Sequence, residues 1–89
     1  MKLSDWIART LEERLQPTRL AVLDESDQHI GHGGWREGGE THFRIDIVSE
    51  AFSGKTRVER HRLVNDALKG AFERGLHALA IQAKAPGEG

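Results

Sequence analysis

The chain has 89 residues, enough for one domain and too few to enclose two separate cores. Its formal charge of −1, from 13 basic and 14 acidic residues, argues against binding nucleic acid mainly through the overall field. Cysteine is absent, which excludes a disulfide scaffold, a thiolate nucleophile and cysteine ligation of a metal by this chain alone. We see neither a signal peptide nor the roughly 20 apolar residues of a membrane span, so we expect a cytoplasmic protein without membrane contacts.

The first predicted element is an amphipathic helix. Its apolar residues recur every four positions, at Leu3, Ile7, Leu11 and Leu15. Pro17 stops this helix, because proline cannot continue the hydrogen-bond ladder. Residues 18–24 are apolar and favour a first strand, and turn-forming residues 24–27 follow.

Residues 28–40 combine five glycines with His29 and His32 and show no apolar period. This composition predicts a long flexible loop between strands, which in so small a domain is usually functional or disordered. Residues 41–49 then alternate, with Phe43, Ile45 and Ile47 on one side, which predicts a strand with one buried face. A tight connection over 49–54 should fold Phe52 inward.

A second helix and a last strand are predicted between Gly54 and Gln82. The helix should be capped by Thr56 and end just before Gly75. Its core face, at spacings of three or four, consists of Val58, Val64, Ala67, Leu68, Ala71 and Phe72, with Leu63 beside them. From His77 onward, alternating residues predict a short buried strand, with His77 at its mouth.

The element order is therefore α-β-β-α-β. We predict an α+β fold of two layers, with helices on one face of a three-stranded mixed sheet. The whole chain, 1–89, should form one domain, with a frayed tail over 85–89.

The chain resembles the BolA family over nearly its whole length. The resemblance rests on five short motifs in order: Asp24-Glu25-Ser26 followed by a histidine, Thr41-His42-Phe43-Arg44, Val48-Ser49 before Phe52-Ser53-Gly54, Arg60-His61-Arg62, and His77-Ala78-Leu79-Ala80. It implies a class II KH-like fold. It also implies a non-enzymatic partner of monothiol glutaredoxins that shares a 2Fe–2S cluster in iron–sulfur handling or iron sensing. Other members are described as DNA-binding regulators of stress response and morphology.

The resemblance also implies metal ligands. It carries the C-terminal ligand onto His77 and the loop ligand onto His29, which stands three residues after Ser26. His32 is the alternative loop ligand. The glutaredoxin would bring cysteine and glutathione, so the isolated chain, a monomer or weak dimer, should hold no cluster. We expect His42 to be an ordinary surface residue on the solvent side of its strand.

A basic patch is predicted at the start of the second helix, from Lys55, Arg57, Arg60 and Arg62 around His61. It could receive an acidic partner surface, glutathione or nucleic acid. Alternatively, His61 is half-buried and the arginines pair with acids such as Glu59 or Asp66. Nucleic-acid regulation is thus the rival function. No motif indicates an enzyme.

Overall fold

The computed structural model describes residues 2–25 and 42–88. Within them lie three helices, α1 (Leu3–Leu15), α2 (Arg57–Ala67) and α3 (Lys69–Glu73), and three strands, β1 (Arg19–Asp24), β2 (His42–Val48) and β3 (Ala78–Lys84). A single 3-10 turn, Glu50–Phe52, follows β2. The predicted α+β class and element order are confirmed, with the second helix in two pieces. The loop predicted over 28–40 lies outside the described residues.

β2 is the central strand of a mixed sheet ordered β1-β2-β3. It runs antiparallel to β1, with Leu20 opposite Ile47, and parallel to β3, with Ile45 opposite Ile81. Because parallel neighbours cannot be joined by a hairpin, the chain has to cross back over the sheet between β2 and β3. α2 and α3 make that crossover.

The core lies between the helices and one face of the sheet, as predicted. Its fully buried members come from α1, β2, the 3-10 turn and the crossover: Ile7, Leu11, Phe43, Ile45, Ile47, Phe52, Val64, Leu68 and Ala71. β3 is an edge strand whose residues alternate between exposed and half-buried. The prediction of a buried last strand is therefore wrong, because no layer of helices covers its second face among the described residues.

The predicted second helix is interrupted at Leu68, which is fully buried and leaves helical geometry at φ −100°, ψ 15°. Gly70 lies against the Trp6 ring of α1, where an added Cβ would come within 3.2 Å. The predicted core face of this helix is confirmed only in part. Val58 and Phe72, predicted to be core residues, are exposed, whereas Leu76 is buried.

Both predicted ends of the crossover are confirmed. Thr56 and Glu59 form a capping box, in which each side chain accepts a backbone N–H from the other residue. The hydrogen bond from the Thr56 backbone is the main cause that lowers the pKa of Glu59. Past α3, Gly75 adopts φ 108°, a conformation that favours glycine.

In the described part of the chain, no helix is both long and apolar enough to cross a membrane. The frayed tail over 85–89 stays a prediction, and its described residues, 85–88, make two contacts with the rest of the domain. Ala85 is buried, and the Glu88 carboxylate binds Arg60 of α2.

Ser49 joins three elements at the end of β2. Its hydroxyl donates to the Leu15 carbonyl at the end of α1 and accepts the Ala51 N–H of the 3-10 turn. Its own backbone N–H donates to the Lys84 carbonyl at the end of β3. Since Ser49 is only 1% exposed, water cannot easily replace these hydrogen bonds.

We expect Ser49→Ala to lower the free energy of unfolding by about 1–3 kcal/mol, because the Leu15 carbonyl and Ala51 N–H lose a partner. Ser53→Ala is the matched control: its exposed hydroxyl donates only to the Glu50 carboxylate. Its effect should stay within about 0.5 kcal/mol. Urea unfolding of both variants checks this, and equal stabilities would contradict it.

Candidate functional site

Two histidines meet where β2 and β3 begin. His42 is the first residue of β2, and His77 directly precedes β3, where the register pairs His42 with Ala78. The ring centroids lie 5.3 Å apart, and the ring planes are tilted by 50°. His42 is only 6% exposed, whereas His77 is exposed. A solvent-facing imidazole therefore lies against a buried one.

The prediction that His42 is a surface residue is wrong. By alternation, its side chain does lie on the face of β2 opposite the core residues. However, β2 is the central strand and has a neighbouring strand on each side. The Glu25 N–H donates to the His42 carbonyl at 2.8 Å on the β1 side, and His77 lies on the β3 side. The sequence did contain a signal for this contact. Both histidines stand at the start of a predicted strand, and a helical crossover between two strands makes them parallel, so their starts lie at the same end of the sheet.

Neutral imidazole binds zinc, copper, iron and nickel, so His77 is chemically suited to the metal role predicted for it. Residues 2–25 and 42–88 contain no group of three or more histidine, cysteine or acidic side chains that could hold a metal ion. This part of the chain can therefore supply only a fraction of a coordination shell. His29 and His32 lie outside the described residues, and their role stays a prediction.

Arg60 does not stand free in the predicted basic patch. Its guanidinium forms a two-pronged ion pair with Glu88, with Nη1–Oε1 at 2.5 Å and Nη2–Oε2 at 2.8 Å. Nε also donates to the Lys55 carbonyl, and the side chain is only 13% exposed. The expected acidic partners, Glu59 or Asp66, are thus replaced by a residue of the tail.

The rest of the patch remains at the surface. Lys55, Arg57 and Arg62 are exposed, and His61 is half-buried. An open groove runs between the start of α2 and the end of β3, lined by Lys55, Arg57, Arg60, His61, Ile81, Gln82, Ala83 and Lys84. The structure therefore brings four of the five predicted patch residues together along one groove and leaves Arg62 outside it.

A profile of the family described as BolA-like protein matches residues 11–88. The chain belongs to this family. A Sinorhizobium protein from the cobS 5′ region is 51% identical to this BolA-like protein, over 99% of this chain and 96% of its own length. The solved BolA domain of SufE1 from Arabidopsis thaliana matches with a TM-score of 0.84 at 49% identity, covering 93% of this chain and 91% of that one. A Vibrio cholerae protein named DNA-binding transcriptional regulator BolA is 42% identical over 89% of this chain and 71% of its own length.

Several relatives are longer than this chain. It spans 23% of the SufE-like protein 1 and 50% of the BOLA1 protein of Arabidopsis thaliana. Their names place the former in chloroplasts or mitochondria and the latter in chloroplasts. Membership of the BolA-like family therefore does not fix the compartment, and a cytoplasmic location stays a prediction for this chain.

The Arg60–Glu88 pair makes a testable contribution to acid stability. Hydrogen bonds that Glu88 accepts from Arg60 and from the Ala85 N–H lower the pKa of its carboxyl from 4.5 to about 2. A lowered folded-state pKa adds stability that is complete above pH 4.5 and is lost as pH falls towards 2. We expect the difference in melting temperature between wild type and Glu88→Gln to shrink across that interval. A difference that does not change with pH would contradict the pairing.

Proposed function

We propose that this BolA-like protein is a non-enzymatic adaptor that pairs with a monothiol glutaredoxin and shares a 2Fe–2S cluster with it, in iron–sulfur handling or iron regulation. The observation that carries the proposal is the exposed His77 ring, held beside His42 at the start of an edge strand. Membership of the BolA-like family supports it.

The metal-binding side chains of this protein fit a cluster shared with a partner better than a cluster held by this chain alone. Histidine can replace cysteine as an iron ligand in a 2Fe–2S centre, where it raises the reduction potential. The chain contains no cysteine, so thiolate ligands have to come from the glutaredoxin and its glutathione. A ligand shared across two proteins has to lie at the surface, as His77 does.

His42 is suited to orienting His77 rather than to meeting a partner. Its ring is buried and lies 5.3 Å from the His77 ring, so it restricts the directions in which His77 can point. Restriction of this kind raises the affinity of a ligand for metal, because less side-chain freedom is lost on binding. The loop ligand remains His29 or, alternatively, His32.

When bound, the cluster would supply electron-transfer and iron-sensing chemistry, and the chain's own contribution is an imidazole of set orientation. Only the neutral ring binds metal, so protons compete with the cluster for the imidazole. Cluster retention in the complex should therefore fall as the pH is lowered.

The test is co-purification of the chain with a monothiol glutaredoxin, followed by visible circular dichroism of the coloured complex. We expect His77→Ala to change the spectrum and shorten the cluster lifetime, with an unchanged far-ultraviolet spectrum of the chain. His77→Cys is the matched control, because thiolate is also an iron ligand and should restore the lifetime with a different spectrum. Identical spectra and lifetimes for wild type and His77→Ala would refute the ligand role.

The loop is tested in the same complex. His29→Ala alone should have a weaker effect if His32 can replace it, and the double change should match His77→Ala. A double variant that behaves as wild type would remove the loop from the ligand shell.

Nucleic-acid binding is the second candidate, favoured by the exposed cations at the start of α2 and by the printed name of the Vibrio cholerae relative. The cations would contact phosphates and supply affinity without reading sequence. We expect Lys55→Gln with Arg62→Gln to weaken duplex DNA binding and reduce its salt dependence by about two counterions. Wild type that shows no salt-dependent DNA binding would exclude this candidate.

A further inference from the structure

Arg60 lies in a site built to hold an anion. Its Nε donates to the Lys55 carbonyl at 3.0 Å, and Nη1 donates to the Ala83 carbonyl of β3 at 3.4 Å. These two backbone contacts fix the guanidinium plane between α2 and β3. Nη1 and Nη2 also donate to the carboxylate of Glu88, in the parallel geometry that favours carboxylate or phosphate.

The groove around Arg60 is more positive than one carboxylate can balance. Lys55, Arg57 and Lys84 also line it. Lys55 and Arg57 lie at or near the first turn of α2, where the helix dipole favours anions and opposes cations. Glu59, the acid of that turn, accepts the Thr56 N–H in the capping box and keeps its negative charge, so the four cations of the groove are opposed by the two carboxylates of Glu59 and Glu88. The groove therefore keeps an excess of positive charge with Glu88 in place.

Glu88 is an incomplete occupant for such a site. Its side chain is 45% exposed, so solvent screens the ion pair. It supplies one carboxylate, which engages Arg60 and leaves the side chains of Lys55 and Arg57 exposed. An acidic segment carrying several carboxylates could contact all three cations at once.

We propose that Arg60 and the neighbouring groove form a docking site for an acidic segment of a partner protein, and that Glu88 occupies the carboxylate position on Arg60 in cis. The tail is then an internal competitor, and a partner binds only when its carboxylates displace Glu88 from Arg60. This site contains neither histidine of the His42–His77 pair, and its occupancy does not depend on a cluster.

The test uses the full chain without metal and a fluorescein-labelled hexaglutamate peptide, followed by fluorescence anisotropy at low ionic strength. Glu88→Gln should bind this peptide about tenfold more tightly than wild type. An internal competitor multiplies affinity by the fraction of molecules in which the site is open, so a site open in about one wild-type molecule in ten gives this factor. Far-ultraviolet circular dichroism confirms that the variant is folded.

Two controls separate occupancy from net charge. Glu73→Gln removes the same charge from an exposed position on α3 that does not line the groove, and should bind the peptide as wild type does. Adding Arg60→Lys to Glu88→Gln keeps the charge but removes the two-pronged donor, and should abolish most of the gain.

Three results would overturn the proposal. Glu88→Gln could bind the peptide no more tightly than wild type, or Glu73→Gln could show an equal gain. Alternatively, Glu88→Gln could gain affinity for inorganic phosphate and not for the peptide, which would make the site one for phosphate rather than for acidic protein segments.

Discussion

The parallel pairing of β2 with β3 is the constraint on which both sites depend. It forces the crossover through α2 and α3, and its register sets what lies at each end of the edge strand. At one end, pairing of His42 with Ala78 brings the His77 ring against the His42 ring. At the other end, pairing of Val48 with Lys84 directs residues 85–88 towards Arg60 of α2. A one-residue shift would separate both pairs, because it reverses the face on which every β3 side chain lies.

The two sites are spatially separate although one strand carries both. β3 has seven residues, and strands rise about 3.3 Å per residue, so its ends lie roughly 20 Å apart. The histidine end offers soft-to-borderline nitrogen ligands, and the arginine end offers a guanidinium fork held by backbone carbonyls. The proposed metal ligation and the proposed docking can therefore be tested by separate substitutions.

Sequence reasoning succeeded where local patterns decide the structure. The four-residue period of α1, the alternation in β2 and the Thr56 cap each depend on residues within a few positions of one another, and each is confirmed. It failed where long-range contacts decide. The burial of His42 depends on strands that flank it in space, and the partner of Arg60 lies 28 positions away at Glu88. The break at Leu68 likewise lies where the crossover meets α1, with Gly70 against the Trp6 ring.

The central claim is that this chain supplies an imidazole nitrogen to a cluster shared with a glutaredoxin. Isotope labelling tests it most directly: the complex is assembled with ¹⁵N-histidine in this chain only and unlabelled glutaredoxin, and the reduced cluster is studied by pulsed electron paramagnetic resonance. The account predicts a ¹⁵N hyperfine coupling of the size expected for a directly bound nitrogen, and its loss in His77→Ala. A cluster with no ¹⁵N coupling from this chain would contradict the account.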